Sequence, residues 1–216
     1  MNTDEIISFA KSGVDERQTK KQLIKLVLGT VIFIPVPLVF GIIAGGICPI
    51  FAAVMTVFFI ASTAATVNIL KDGMMVKNRI KANIVACAEL VIQFTLSAHS
   101  LHFILIGPSK AMIYIYLPMV FLPLITILYM ERQLKSGSLQ SIKKHVIIAA
   151  VTAYVVIIVA AAAGRFIGRS GGGDIMLEIL IFMTTIVTGI FSARVGMQIV
   201  RLYCIKKLED EGIEID

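Results

Sequence analysis

Six stretches of this 216-residue sequence are apolar for about as long as a helix needs to cross a hydrocarbon layer, roughly 20 residues at about 1.5 Å each. They run from Leu26 to Gly46, Pro49 to Leu70, Ala82 to Ile106, Ala111 to Met130, Val146 to Ile167 and Asp174 to Val200. Outer-membrane strands alternate apolar and polar residues over about ten positions, whereas these blocks are continuously apolar, so helices are expected. Composition points the same way: 57% of side chains are hydrophobic, 16% are charged, and the mean hydropathy is +0.90. That is too much apolar surface for one water-soluble core. The expected fold class is an all-α, polytopic integral membrane protein with six transmembrane helices.

Orientation follows from the 20 Lys and Arg residues, because cytoplasmic loops retain positive charge. Five precede the first block (Lys11, Arg17, Lys20, Lys21, Lys25) and four follow the second (Lys71, Lys77, Arg79, Lys81). Four follow the fourth (Arg132, Lys135, Lys143, Lys144), and four lie at the end (Arg194, Arg201, Lys206, Lys207). Only Lys110, Arg165 and Arg169 fall on the other side. Both termini are therefore expected in the cytoplasm, and the cytoplasmic membrane is the expected location. The net charge of +6 is spread over loops beside the spans, which suits anionic lipid headgroups of the bilayer and not nucleic acid.

Three parts are expected: a cytoplasmic amphipathic segment at 1–22, a six-helix membrane domain at 23–203 and a cytoplasmic acidic tail at 204–216. In the first, Asn2 can cap a helix with Glu5 three residues on, and Ile6, Phe9, Ala10 and Val14 approximate one apolar face. A helix along the membrane interface or a polar tail with local helicity both fit. The first block, broken by prolines and not followed by a small-residue cleavage site, is expected to stay as an anchor. Cys48, Cys87 and Cys204 have no paired spacing and read as apolar packing thiols, with neither a disulfide framework nor a zinc site indicated.

Two blocks carry prolines at mid-span: Pro35 and Pro37 in the first, Pro118 and Pro123 in the fourth. Proline removes a backbone donor and kinks a helix, so these are either bent helices around a pathway or kinks that improve packing. Gly41 and Gly45 make a GxxxG pair, a signal for close helix contact. The third block is the most polar, with Glu89, Gln93, Ser97 and Ser100 in one stripe within about 80° at 100° per residue. Glu89 lies well inside the block, where an ionised side chain costs a few kcal/mol unless paired or protonated. It is the foremost functional candidate, for proton relay, cation binding or a polar contact with another helix.

His99 and His102 point away from that stripe and lack the four-residue spacing of a two-histidine metal face, so no metal site is expected. In the sixth block Asp174, Glu178, Thr185, Gly189, Ser192 and Gly196 form a second stripe, which could face the first. Asp174 also reads as an N-cap and Glu178 as a first-turn acid favoured by the helix dipole. The outer loop 164–174 is glycine-rich with Arg165 and Arg169, but no GxxxxGK[ST] pattern is present. HExxH, GxSxG and nucleotide-binding motifs are likewise absent, so no enzyme activity and no cofactor is expected, and ATP-driven work would need a second chain.

The expected function is a multi-pass transport or permease component, its substrate route lined by the two polar stripes and the two bent helices. In layout, an amphipathic start followed by six spans resembles the membrane subunits of ABC-type exporters, which work as dimers with separate ATPase chains. The six-helix substrate-binding subunits of vitamin importers have a similar outline. The partners implied are the bilayer, a second copy or a larger membrane complex, and a cytoplasmic ATPase. The alternative is a non-transporting membrane protein: an assembly factor, an immunity or sensor protein, or a subunit of a secretion complex.

Overall fold

A computed structural model describes residues 3–11, 21, 24–25, 28–29, 35–72, 75–108, 113–136 and 175–213. Among them the regular structure is entirely helical: α1 (Thr3–Lys11), α2 (Pro35–Ile43), α3 (Pro49–Asp72), α4 (Val76–Ile106), α5 (Ile113–Ser136) and α6 (Ile175–Asp210). Among the described residues, four segments are long and apolar enough to cross a membrane: Pro49–Lys71, Val76–Leu105, Ile115–Lys135 and Met183–Asp210. They correspond to the second, third, fourth and sixth apolar blocks. The first block is described mainly as α2, with Pro35 and Pro37 at its start. The fifth block, Val146 to Ile167, and the loop with Arg165, Arg169 and Asp174 lie outside the described residues.

The helix ends follow from local chemistry. After α2, Gly45 takes φ +75, and the amides of Gly45 and Gly46 return to the carbonyls of Ile42 (2.9 Å) and Gly41 (3.0 Å). This is a Schellman cap, which needs a residue that tolerates the left-handed region. Gly45 was expected at a helix contact; instead it makes the turn, and a Cβ there would meet only Phe103 Cε1 at 3.9 Å. The next helix starts three residues after Gly46, with Pro49 as its first residue, where a missing amide hydrogen costs nothing. The end of α6 uses the same cap, with Gly212 at φ +80 and the Ile213 amide on Leu208 O at 2.9 Å.

The core is the pair α4 and α6. Half of each apolar span is buried, against 22% for α3 and 24% for α5. Lys77 pairs with Glu209 (2.6 Å), Ile80 packs with Ile205, and Phe94 stacks on Phe191, so α4 and α6 run antiparallel along their whole contact. By contrast, α5 runs parallel to α6: Pro123 and Thr126 meet Gly196, while Met130 and Leu134 cluster with Val200, Cys204 and Leu208. On the other flank α2 and α3 lie against α4, through Leu38, Phe59 and Leu96 at one end and Leu70 and Ala82 at the other.

Two boundaries differ from those expected. α4 begins at Val76, because the basic turn Lys77–Lys81 is helical and its first lysine is tied to Glu209. α6 continues past Val200 to Asp210, across the expected start of the tail at 204. Hydropathy falls there at Arg201, Lys206 and Lys207, but Cys204, Ile205 and Leu208 keep helical spacing and are buried.

What buries them is α1. Its apolar residues Ile6, Phe9 and Ala10 are turned into the bundle, and Thr3, Asp4, Ser8 and Lys11 outward. Ile6 and Phe9 join the cluster of Met130, Leu134, Cys204 and Leu208, and Ala10 packs with Ile80 and Ile205. The apolar face read from the sequence is thus covered by α4, α5 and α6, and it caps their basic end. Phe9 also lies under the Arg201 guanidinium, 5.2 Å from its ring centroid, an arrangement typically worth about 0.5–2 kcal/mol. Phe9→Ala should therefore cost about 3 kcal/mol, chiefly from the cavity. Trypsin cleavage after Lys11 should become several-fold faster than in the parent protein. An unchanged cleavage rate would mean that α1 is not held by this contact.

Candidate functional site

The polar stripe of α4 faces α2 and α3. Glu89 is 2% exposed, and two consecutive hydroxyls of α3 reach its Oε1: Ser62 Oγ at 2.5 Å and Thr63 Oγ1 at 3.2 Å. Adjacent residues on a helix lie about 100° apart, so Ser62 and Thr63 reach the same carboxylate oxygen from different directions. Ser62 Oγ is also 3.0 Å from the Phe59 carbonyl, and Thr66, one turn on, donates to Ser62 O at 2.8 Å. One turn along α4, Gln93 is buried and its carbonyl accepts from Ser97 Oγ at 2.8 Å.

At the far end of the stripe Ser100 Oγ lies 2.9 Å from Leu96 O and 3.2 Å from Pro37 O, joining α4 to the start of α2. Gly41 makes that approach possible. A Cβ on Gly41 would sit 2.7 Å from Ser100 Oγ and 2.5 Å from Ile47 Cγ1. Of the expected GxxxG pair, Gly41 is the packing residue.

His99 stands beside this end and links three elements. Its Nε2 is 3.0 Å from Gly46 O in the turn between α2 and α3, and its Nδ1 is 2.7 Å from the Tyr116 hydroxyl of α5. A carbonyl only accepts, so Nε2 carries the hydrogen, and in the neutral ring Nδ1 accepts from Tyr116. His102 is buried on the same helix, 1% exposed. Tyr116→Phe should lower stability by about 1 kcal/mol, the usual worth of one such bond, seen as a small fall in the detergent unfolding midpoint. No change would mean that the hydroxyl is bonded elsewhere.

The second stripe lies elsewhere. On α6, Thr185 Oγ1 and Thr188 Oγ1 turn back to the carbonyls of Ile181 (2.5 Å) and Thr184 (2.8 Å). Ser192 is fully buried, and its Oγ has no hydrogen-bond partner among the described residues; Thr126 Oγ1 on α5 is in the same condition. Gly196 is pressed onto the α5 backbone, where an added Cβ would come within 2.6 Å of Pro123 O. Pro123 is thus a contact point between helices; Pro118 lies in the same helix, five residues earlier. Glu178 stands in the first turn of α6, and its side chain is not among those described.

The two stripes do not face each other. Ile80 and Phe94 mark the side of α4 that meets α6, and Glu89 is about 180° and 140° around the helix from them. The α4 stripe therefore opens on α2 and α3, and the α6 stripe on α5, with the aromatic and aliphatic α4–α6 seam between. The sequence reading named Glu89, Gln93, Ser97 and Ser100, but not Ser62, Thr63 or Tyr116. A signal for the first two was present: Ser62, Thr63 and Thr66 cluster in an otherwise apolar block.

Comparisons with protein-family models, with curated proteins and with solved structures found no match.

Proposed function

We propose that this chain is the membrane-embedded component of a transport system, with six spans, both termini cytoplasmic and its cargo route along the α2–α3–α4 seam of the cytoplasmic membrane. The observation that carries the reading is Glu89, a carboxyl 2% exposed inside one membrane-length helix and held by hydroxyls of another. An ionisable group at such depth costs a few kcal/mol, roughly 2.5–3.5 on insertion scales, which a leucine would avoid. Polar groups continue from it to Ser100, a line about 16 Å long at 1.5 Å per residue.

Six spans are supported by the course of the chain. In the sequence, the Val146–Ile167 block has the length of a span, and α5 and α6, which flank it in the chain, run parallel. Ile24 packs near Leu70 and Ala82, whereas Leu38 belongs with Phe59 and Leu96 at the opposite end, which suits a first span. Lys71, Lys77, Arg132 and Lys207 gather at one end, the cytoplasmic one by the distribution of charge.

With no nucleotide-binding motif in the sequence, ATP-driven transport would use a separate ATPase chain. The outward faces of α3 (Ile50, Val54, Val57) and α5 (Val120, Leu124, Leu128) are apolar and exposed, suited to lipid, a second copy or a neighbouring subunit. A non-transporting role, in assembly, immunity, sensing or secretion, is favoured by the tight α5–α6 seam at Gly196, which suits a fixed scaffold. Affinity purification from native membranes separates the two: an ATPase in the eluate supports transport, and secretion or envelope proteins support the scaffold. Glu89→Gln should insert normally and impair flux or its pH dependence; normal flux would remove Glu89 from the mechanism.

A further inference from the structure

We propose that Glu89 is a proton-binding site, and that the Ser62 hydroxyl is the switch that satisfies it in both its charged and its neutral form. The inference rests on the transport reading only in making that proton the coupling ion. Ser62 Oγ has one hydrogen and two acceptors in reach, Glu89 Oε1 at 2.5 Å and Phe59 O at 3.0 Å. With Glu89 ionised, Ser62 donates to the carboxylate, and Thr63 adds a second hydrogen bond at 3.2 Å. When a proton is taken up at Oε1, the new O–H donates to Ser62 Oγ, and Ser62 turns its own hydrogen to Phe59 O.

No heavy atom has to move between the two forms; one hydroxyl rotates and one proton is gained. The carboxyl's contact with Ser62 is of the length seen between a hydroxyl and a carboxylate, about 2.5–2.7 Å. Among the described residues no group of three His, Cys, Asp or Glu side chains that could hold a metal ion is gathered, so the site is read as one for a proton.

Among the described residues few ionisable groups compete. Neither α2 nor α3 between Pro49 and Leu70 contains an acidic, basic, histidine, cysteine or tyrosine residue, so neither of these helices sets a titratable side chain against Glu89 there. On α4 itself the nearest are Cys87, on the opposite flank, Lys81 and His99, about two turns or more away along the helix. From α6, Arg194 acts on the Cys87 flank, and from α5 Tyr116 is bound to His99.

The test is infrared difference spectroscopy of the full chain in liposomes between alkaline and acidic buffer. A carboxylic-acid carbonyl band should appear on acidification, be lost in Glu89→Gln, and shift to higher frequency in Ser62→Ala, which removes the hydrogen-bond acceptor while barely changing volume. The proposal is overturned if the wild-type minus Glu89→Gln spectrum shows no such band, or if Ser62→Ala leaves its frequency unchanged. It is also overturned if sodium at constant pH removes the band, which would make the site one for a metal cation. Should Glu89→Gln fail to fold, the Ser62→Ala shift decides alone. A band in a protein that moves no solute removes the transport reading and keeps the proton site; flux without a band does the reverse.

Discussion

Gly196→Leu should separate α5 from α6 and abolish cooperative unfolding of the bundle. An added Cβ alone would lie 2.6 Å from Pro123 O and 3.0 Å from both Pro123 Cα and Thr126 Cβ. Backbone cannot rotate aside as a flexible side chain does, so even Gly196→Ala should cost about 1–3 kcal/mol as overpacking. Leucine adds three further carbons along the same line and must push the helices apart, exposing the cluster of Met130, Leu134, Val200 and Cys204 that α1 covers. Thermal unfolding in detergent, followed by loss of the monodisperse chromatographic peak, measures it. Gly29, whose added Cβ would meet nothing within 4 Å among the described residues, supplies the control, since Gly29→Ala should leave the midpoint unchanged or slightly raised. Equal effects at the two sites would place Gly196 away from α5.

Glu89→Lys should be the most damaging single change in the α3–α4 seam. The carboxyl is held by two hydroxyls that converge on one oxygen. An ammonium there is longer and fully buried, and it faces no acid on α2 or on α3 before Asp72. Uncompensated buried charges cost several kcal/mol, about 3–5 where one partner of a buried pair is reversed or removed. Glu89→Gln, in contrast, keeps an acceptor oxygen for Ser62 and Thr63 and should stay within about 1 kcal/mol of the parent. The same unfolding assay compares them. A Glu89→Lys protein as stable as Glu89→Gln would mean that the residue reaches water.

Much of this arrangement was legible in the residues, because a membrane-length apolar run has few folds open to it. The four long spans sit where hydropathy put them, and the burial of Glu89, Gln93 and Ser100 follows from the angular clustering of one helix. What the sequence withheld depends on the relative rotation of helices that are far apart in the chain. Both stripes were visible, but whether Glu89 meets Ser62 or Ser192 is decided by how α4 turns between α3 and α6, and periodicity within one helix is silent on that. The role of Gly45 was hidden for a different reason. GxxxG spacing and a Schellman cap use the same residue type, and the Ile42-Ile43-Ala44 run before it does not reveal that the helix is about to end.

The end of α6 shows a third kind of loss. Hydropathy marks where a helix would leave a membrane, not where it stops, so Cys204, Ile205 and Leu208 were assigned to a tail although they hold α1 in place.

The two polar stripes lie on opposite flanks of α4, with Glu89 against α3. Paired cysteines test it most directly, in a background where Cys48, Cys87 and Cys204 are replaced by alanine and a short bifunctional thiol reagent is added in native membranes. Glu89→Cys should cross-link with Ser62→Cys and not with Ser192→Cys, giving a mobility shift in the first pair alone. A bridge between positions 89 and 192, with none between 89 and 62, would contradict the account.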